Sequence, residues 1–143
     1  MESTHHLIRC YAMVALASIA AVGCGDGGPK RVPVSGTVLI DGKPLTVGNV
    51  RFVPEGARPS YGQVDDEGRF TLSCFESGDG AVTGLHQVQV SASEIIGGSK
   101  VHWHAPAKYA DYRSSGLTAE ITEPVDNLTI ELTWGDPKQK RSK

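Results

Sequence analysis

Few residues in this chain could do covalent or coordination chemistry, and the first is a thiol. Cys24 closes the tetrad Ala21-Val22-Gly23-Cys24, directly after an apolar run from Cys10 to Val22. That run holds about 13 residues, the length of a signal-peptide h-region, whereas a membrane span needs roughly 20. A cysteine preceded by small and apolar residues at the expected cleavage point is a lipid acceptor. The second group is His102-Trp103-His104, whose imidazoles would share one face of a strand, about 6–7 Å apart along the chain. Two imidazoles so placed can bind a transition metal if His86 or a carboxylate completes the set. Spacing fixes no third ligand, so no metal and no cofactor is expected. The third is Asp65-Asp66-Glu67-Gly68, whose carboxylates could hold Ca²⁺ but lack the spacing of an EF-hand loop and read as a turn.

Other patterns are weaker. No serine stands in a G-x-S-x-G context, and the chain is expected not to be an enzyme. Asn127-Leu128-Thr129 matches a glycosylation sequon, read here as a coincidence of strand sequence. Trp103, Tyr109 and Tyr112 lie in one segment and are the candidate binding aromatics, suited to a sugar ring or a protein partner. Their alternative role is to pack that segment onto the domain. Cys74 follows the alternation of Phe70 and Leu72, which assigns it to the core. With Cys10 in the leader and Cys24 acylated, no disulfide framework is available.

The N-terminal motif resembles that of bacterial lipoproteins. The resemblance implies diacylglyceryl transfer to the Cys24 sulfur, cleavage after Gly23, and an acyl anchor of the palmitate type. One acyl chain binds a membrane reversibly and several hold firmly, since each buried CH₂ contributes about 0.8 kcal/mol. It places the chain at the bacterial cell envelope, with Gly25 slightly favouring the outer membrane. The organisation is then a signal peptide at 1–23, a flexible tether at 24–31, one domain at 32–134 and a basic tail at 135–143. The tail carries Lys138, Lys140, Arg141 and Lys143 and reads as a solvated terminus. From Cys24 to Lys143 the chain is one domain of ordinary size. The formal net charge of −2 argues against nucleic-acid binding.

The elements that must position these residues are strands. Seventeen glycines and eight prolines interrupt the 143 residues, and no amphipathic helix is evident. Seven strands are predicted: Val32–Ile40, Val47–Val53, Tyr61–Val64, Arg69–Phe75, Leu85–Ser93, Leu117–Thr122 and Leu128–Trp134. Asp41-Gly42 marks a turn after the first, and Asp65 to Gly68 joins the third and fourth as a hairpin. In Leu85–Ser93, His86, Val88 and Val90 share one face; in Leu128–Trp134, Leu128, Ile130, Leu132 and Trp134 do. This is the pattern of a single all-β, antiparallel sandwich. Glu94 to Ser115 breaks the rhythm and reads as a long connecting loop, the first place to seek a ligand.

The ordered phrases Pro33-Val34-Ser35-Gly36-Thr37-Val38, Asp41-Gly42-Lys43-Pro44-Leu45, Val50-Arg51-Phe52-Val53-Pro54 and Asp66-Glu67-Gly68-Arg69-Phe70-Thr71-Leu72, followed by Gly78-Asp79-Gly80, resemble the carboxypeptidase regulatory-like domain. The later Pro106-Ala107-Lys108-Tyr109-Ala110-Asp111 and Ser115-Gly116-Leu117-Thr118-Ala119-Glu120 fit the same small lipoproteins. The resemblance spans Val32 to about Trp134 and implies a transthyretin-like (Ig-like) sandwich. It carries no peptidase activity, because in carboxypeptidases the similar domain is accessory. Gly36 and Gly42 are assigned to bulge or positive-φ positions. His86 stands where an aromatic is usual, suggesting a polar spot at the core's edge. The leading expectation is a non-catalytic, membrane-anchored structural or protein-interaction module. A carbohydrate or envelope-polymer binder using the 94–115 segment comes next, and a metal binder using His102 and His104 third.

Overall fold

A computed structural model describes residues 28–135 of the chain. The lipid-acceptor motif, the signal segment and most of the basic tail lie outside the described residues.

The domain is an all-β sandwich of two four-stranded sheets with short accessory strands. Twelve strands form: β1 (Arg31–Val32), β2 (Val34–Ile40), β3 (Lys43–Pro44), β4 (Asn49–Pro54), β5 (Ser60–Gln63), β6 (Arg69–Thr71), β7 (Ala81–Val82), β8 (Gly84–Ser91), β9 (Ser93–Ile96), β10 (Lys100–Trp103), β11 (Leu117–Ile121) and β12 (Val125–Leu132). One sheet runs β11-β8-β4-β5; the other runs β12-β2-β3, with β6 also paired to β2. All seven expected strands are present, most with shifted ends. Five more arise because Pro33, which has no N–H to donate, splits the first into β1 and β2, and because β3, β7, β9 and β10 are too short to show a period. Arg31, assigned to the tether, already pairs with Val82 in β1.

Alternation builds the core. Val50 and Phe52 of β4 face inward, as do His86, Val88 and Val90 of β8, and Val34 and Val38 of β2. Phe52 is fully buried, with its ring centroid 6.1 Å from Phe70 across the sandwich and 5.9 Å from His86 beside it. Cys74 is buried and free, as the alternation required.

Four local expectations change. First, β12 runs parallel to β2, so the sandwich is not antiparallel throughout. The chain crosses from β11 in one sheet to β12 in the other and returns beside its own first long strand. Second, Gly36 sits at the expected irregularity, opposite the register shift of β12 before Leu128, but has no positive φ and serves close approach: a Cβ there would overlap the Leu128 carbonyl oxygen. Third, the β5–β6 hairpin is irregular: backbone bonds join Tyr61 with Ser73 and Asp65 with Arg69, but β5 otherwise pairs with β4 and β6 with β2, so the acidic turn links the two sheets. Fourth, Trp134 lies past the end of β12 and is exposed instead of following Leu132 inward.

The turn itself explains the acids. Asp65 accepts the Glu67 and Arg69 amides at 2.9 and 2.8 Å through one carboxylate oxygen, and the Arg69 guanidinium through the other at 3.0 Å. The Arg69 amide, helped by its guanidinium and the Glu67 amide, outweighs desolvation and holds the Asp65 carboxyl below its usual range. The carboxylate is spent on closing the chain reversal.

Candidate functional site

The Glu94–Ser115 segment is no loop. β9 and β10 form an antiparallel hairpin that stands as a separate two-stranded sheet, and a 3₁₀ turn over Ala107–Ala110 follows. Register assigns its faces. Ser93 pairs with Trp103 and Ile95 with Val101, which puts these four on one side. Glu94 pairs with His102 and Ile96 with Lys100, on the other. Ile95 at 76% and Val101 at 53% are exposed on the first side, and Ile96 at 54% on the second.

The sandwich fixes where this hairpin stands. Thr83, just before β8, donates its N–H to the Lys30 carbonyl at 3.0 Å, so the chain enters beside the start of β8. The hairpin leaves just past the other end, where the His104 N–H bonds the Ala92 carbonyl at 2.8 Å. Between them lie the eight residues of β8, a rise of about 23 Å. Entry point and hairpin therefore occupy opposite poles.

The three candidate aromatics separate. Tyr109 is buried in the core cluster, its hydroxyl accepting the Thr133 N–H at 3.3 Å. It packs the segment down, together with the buried Ala105 and with Ser115, whose hydroxyl donates to the Val88 carbonyl at 2.6 Å. Trp103 is half-buried at the base of the hairpin. Tyr112 bends over the outer face of the β11-β8-β4-β5 sheet, with the Arg51 guanidinium carbon 6.0 Å from its ring centroid. No common platform of Trp103, Tyr109 and Tyr112 exists.

Tyr112 instead joins two residues that sequence reasoning passed over. Arg51 of β4 pairs in register with Tyr61 of β5 and Gln89 of β8, and its guanidinium carbon lies 5.3 Å from the Tyr61 ring centroid. Its Nε is buried without a hydrogen-bond partner. The two rings partly offset desolvation of the cation. Beside this stack is a cleft of about 520 Å³ whose lining includes Glu55, Thr83, Leu85, Gln87 and Tyr112. The only sequence hint was that Arg51 alternates outward between Val50 and Phe52; its ring partners depend on pairing register.

His86 is ruled out as a metal ligand. It is fully buried, its Nε2 lies 2.7 Å from the Val82 carbonyl oxygen, and its Nδ1 has no partner. The polar spot is thus inside the core and not at its edge. Asp79 also has a structural role. It accepts the Cys74 and Phe75 amides at 2.6 and 3.1 Å and pairs with Arg31 at 3.2 Å. Burial pushes its carboxyl up, but those amides, the Glu76 amide and the Arg31 charge outweigh burial and hold it below the usual range. Asn127 is exposed on β12.

His102 and His104 do come together, with ring centroids 4.7 Å apart at 83°, and His104 Nε2 lies 2.8 Å from Glu94 Oε2. Among the described residues no three His, Cys, Asp or Glu side chains are grouped to hold a metal, and no helix is long and apolar enough to cross a membrane. No protein-family model, no curated protein and no solved structure matches this chain.

Proposed function

We propose that this chain is a non-catalytic, lipid-anchored module of the bacterial cell envelope. In this reading its sandwich is of the carboxypeptidase regulatory-like, transthyretin-like kind, and it holds a protein partner away from the membrane. The observation that carries the reading is polar: the chain enters at one end of β8 and the apolar hairpin projects from the other. A tether acylated at Cys24 would hold the first pole at the bilayer and turn Ile95 and Val101 towards a partner.

The test is mass spectrometry of the membrane-extracted protein combined with a photocrosslinker at Ile95. The wild type is expected to begin at Cys24 with added acyl mass and to give one discrete protein adduct. Cys24→Ala should lose both the acyl mass and the adduct, and Val101→Asp should lose the adduct alone. A soluble, unmodified mature chain overturns the anchor. An adduct indifferent to Val101→Asp overturns the hairpin as the contact surface.

A second reading, binding of an acidic envelope polysaccharide, is favoured by the Tyr61–Arg51–Tyr112 stack beside its cleft. An unpaired, half-buried guanidinium flanked by two rings suits a uronate carboxylate with a sugar ring stacked beside it. Oligogalacturonate is the probe. Saturable binding lost in Arg51→Gln and in Tyr112→Ala is expected, and binding unaffected by Arg51→Gln sinks the reading.

A further inference from the structure

The hairpin face shared by Glu94 and His102 carries an arrangement that the binding-module reading does not use. Antiparallel pairing sets Glu94 opposite His102, and His104, just past the end of β10, lies beside both. The two imidazoles stand edge to face with their centres 4.7 Å apart. Two metal–nitrogen bonds of about 2.0 Å can span such a gap with small side-chain rotations. β10 holds His102, and the His104 N–H bond to the Ala92 carbonyl at 2.8 Å holds the residue just past the strand's end, so little ordering remains when a metal arrives.

Glu94 supplies what a bare histidine pair lacks. Its Oε2 lies 2.8 Å from His104 Nε2. A neutral His104 that donates from Nε2 to this acceptor keeps its lone pair on Nδ1. A carboxylate behind a ligating imidazole fixes the tautomer, orients the ring and raises ligand basicity. The three side chains therefore divide into two ligands and one orienting group. His102 is exposed and His104 half-buried, so water can fill the remaining coordination positions. Lys100 shares the face but lies towards the tip, on a stem long enough to swing its charge away.

We infer that His102 and His104, with Glu94 behind His104, form a surface chelate for a divalent transition metal. The chemistry of the donors sets the preference. Imidazole suits copper, nickel and zinc, and affinity for one nitrogen site peaks at Cu²⁺. Tetragonal Cu²⁺ also tolerates two protein nitrogens with water in its other positions. Mg²⁺ and Ca²⁺ favour oxygen donors and are not expected to compete.

The experiment is calorimetric titration of the full chain in detergent with Cu²⁺ alone, then with Zn²⁺ alone. The background carries His5→Gln and His6→Gln, so that any chain not cut before Cys24 contributes no N-terminal imidazoles. One equivalent of Cu²⁺ should bind saturably, and Zn²⁺ more weakly. His102→Ala and His104→Ala should each abolish saturation over the same range. Glu94→Gln should keep the stoichiometry and weaken binding by roughly tenfold, the effect of an orienting group. Thermal melting should be unchanged in all three, because the hairpin lies outside the core, so lost binding cannot be lost folding. Binding that survives the double substitution His102→Ala/His104→Ala, or a background chain that shows no saturable binding, overturns the site. Wild-type affinity in Glu94→Gln overturns the orienting role.

Discussion

Phe52→Ala is expected to lower the unfolding free energy by about 3–5 kcal/mol, measured by chemical denaturation of the otherwise intact chain. The ring is fully buried and touches both layers: Phe70 belongs to the β2 sheet and His86 to the same sheet as Phe52. Removing it loses the transfer free energy of a large side chain and opens a void that two sheets cannot collapse upon independently. Against a typical total of about 5–15 kcal/mol, that is a large share. His86 makes the site unusual, since its Nδ1 is buried without a partner. The void would give that nitrogen access to water, which needs polar partners to stay. The loss should therefore fall towards the lower end of the range. Phe52→Leu keeps most of the volume and should lose less than half as much. Equal losses for the two variants would mean that the ring is not the joint between the layers.

Gly36→Ala is the second large effect, about 3 kcal/mol or more, from a single added methyl. The methyl would overlap the Leu128 carbonyl oxygen, a backbone atom that cannot rotate aside. Gly36 pairs with Leu128 on one side and with Phe70 on the other. Relief therefore requires moving β12 or pushing β2 against β6. The β12 register already shifts between Val125 and Leu128, so the strand has little freedom left there. Hydrogen exchange should show the amides of β12 losing protection well beyond those of β4 and β8. A variant with wild-type stability and even protection would show that the close approach is relaxed in solution.

The long strands were legible because each buries one face and wets the other. β8 and β12 show this in Leu85–Ser91 and Leu128–Leu132, and Phe52 and Cys74 fell inside on the same logic. The hairpin was missed although Gly97-Gly98 sat between Ile95-Ile96 and Val101, a turn signal between apolar pairs. Its strands are four residues each and belong to neither large sheet, so no buried face imposes a period. The sheet switch at Asp65–Gly68 was hidden for another reason. A turn looks alike in sequence whether the strand it starts returns to its neighbour or crosses to the opposite layer. The Arg51 stack needed the same missing knowledge, since Tyr61 reaches it through strand register and Tyr112 from the turn after the 3₁₀ segment, neither through spacing. Tyr109 was judged by its residue type, which serves a surface and a core equally well.

The parallel pairing of β12 with β2 also sets the order of events when the chain is made. Ser35 and Asp126 touch across 91 positions of sequence, and one flank of β2 stays bare until the last strand arrives. Contacts that distant form late, because the loop between them must close first. A chain emerging from its N-terminus holds an incomplete sheet until Leu132 is free. Such a polypeptide becomes a finished sandwich only after its final strand has arrived.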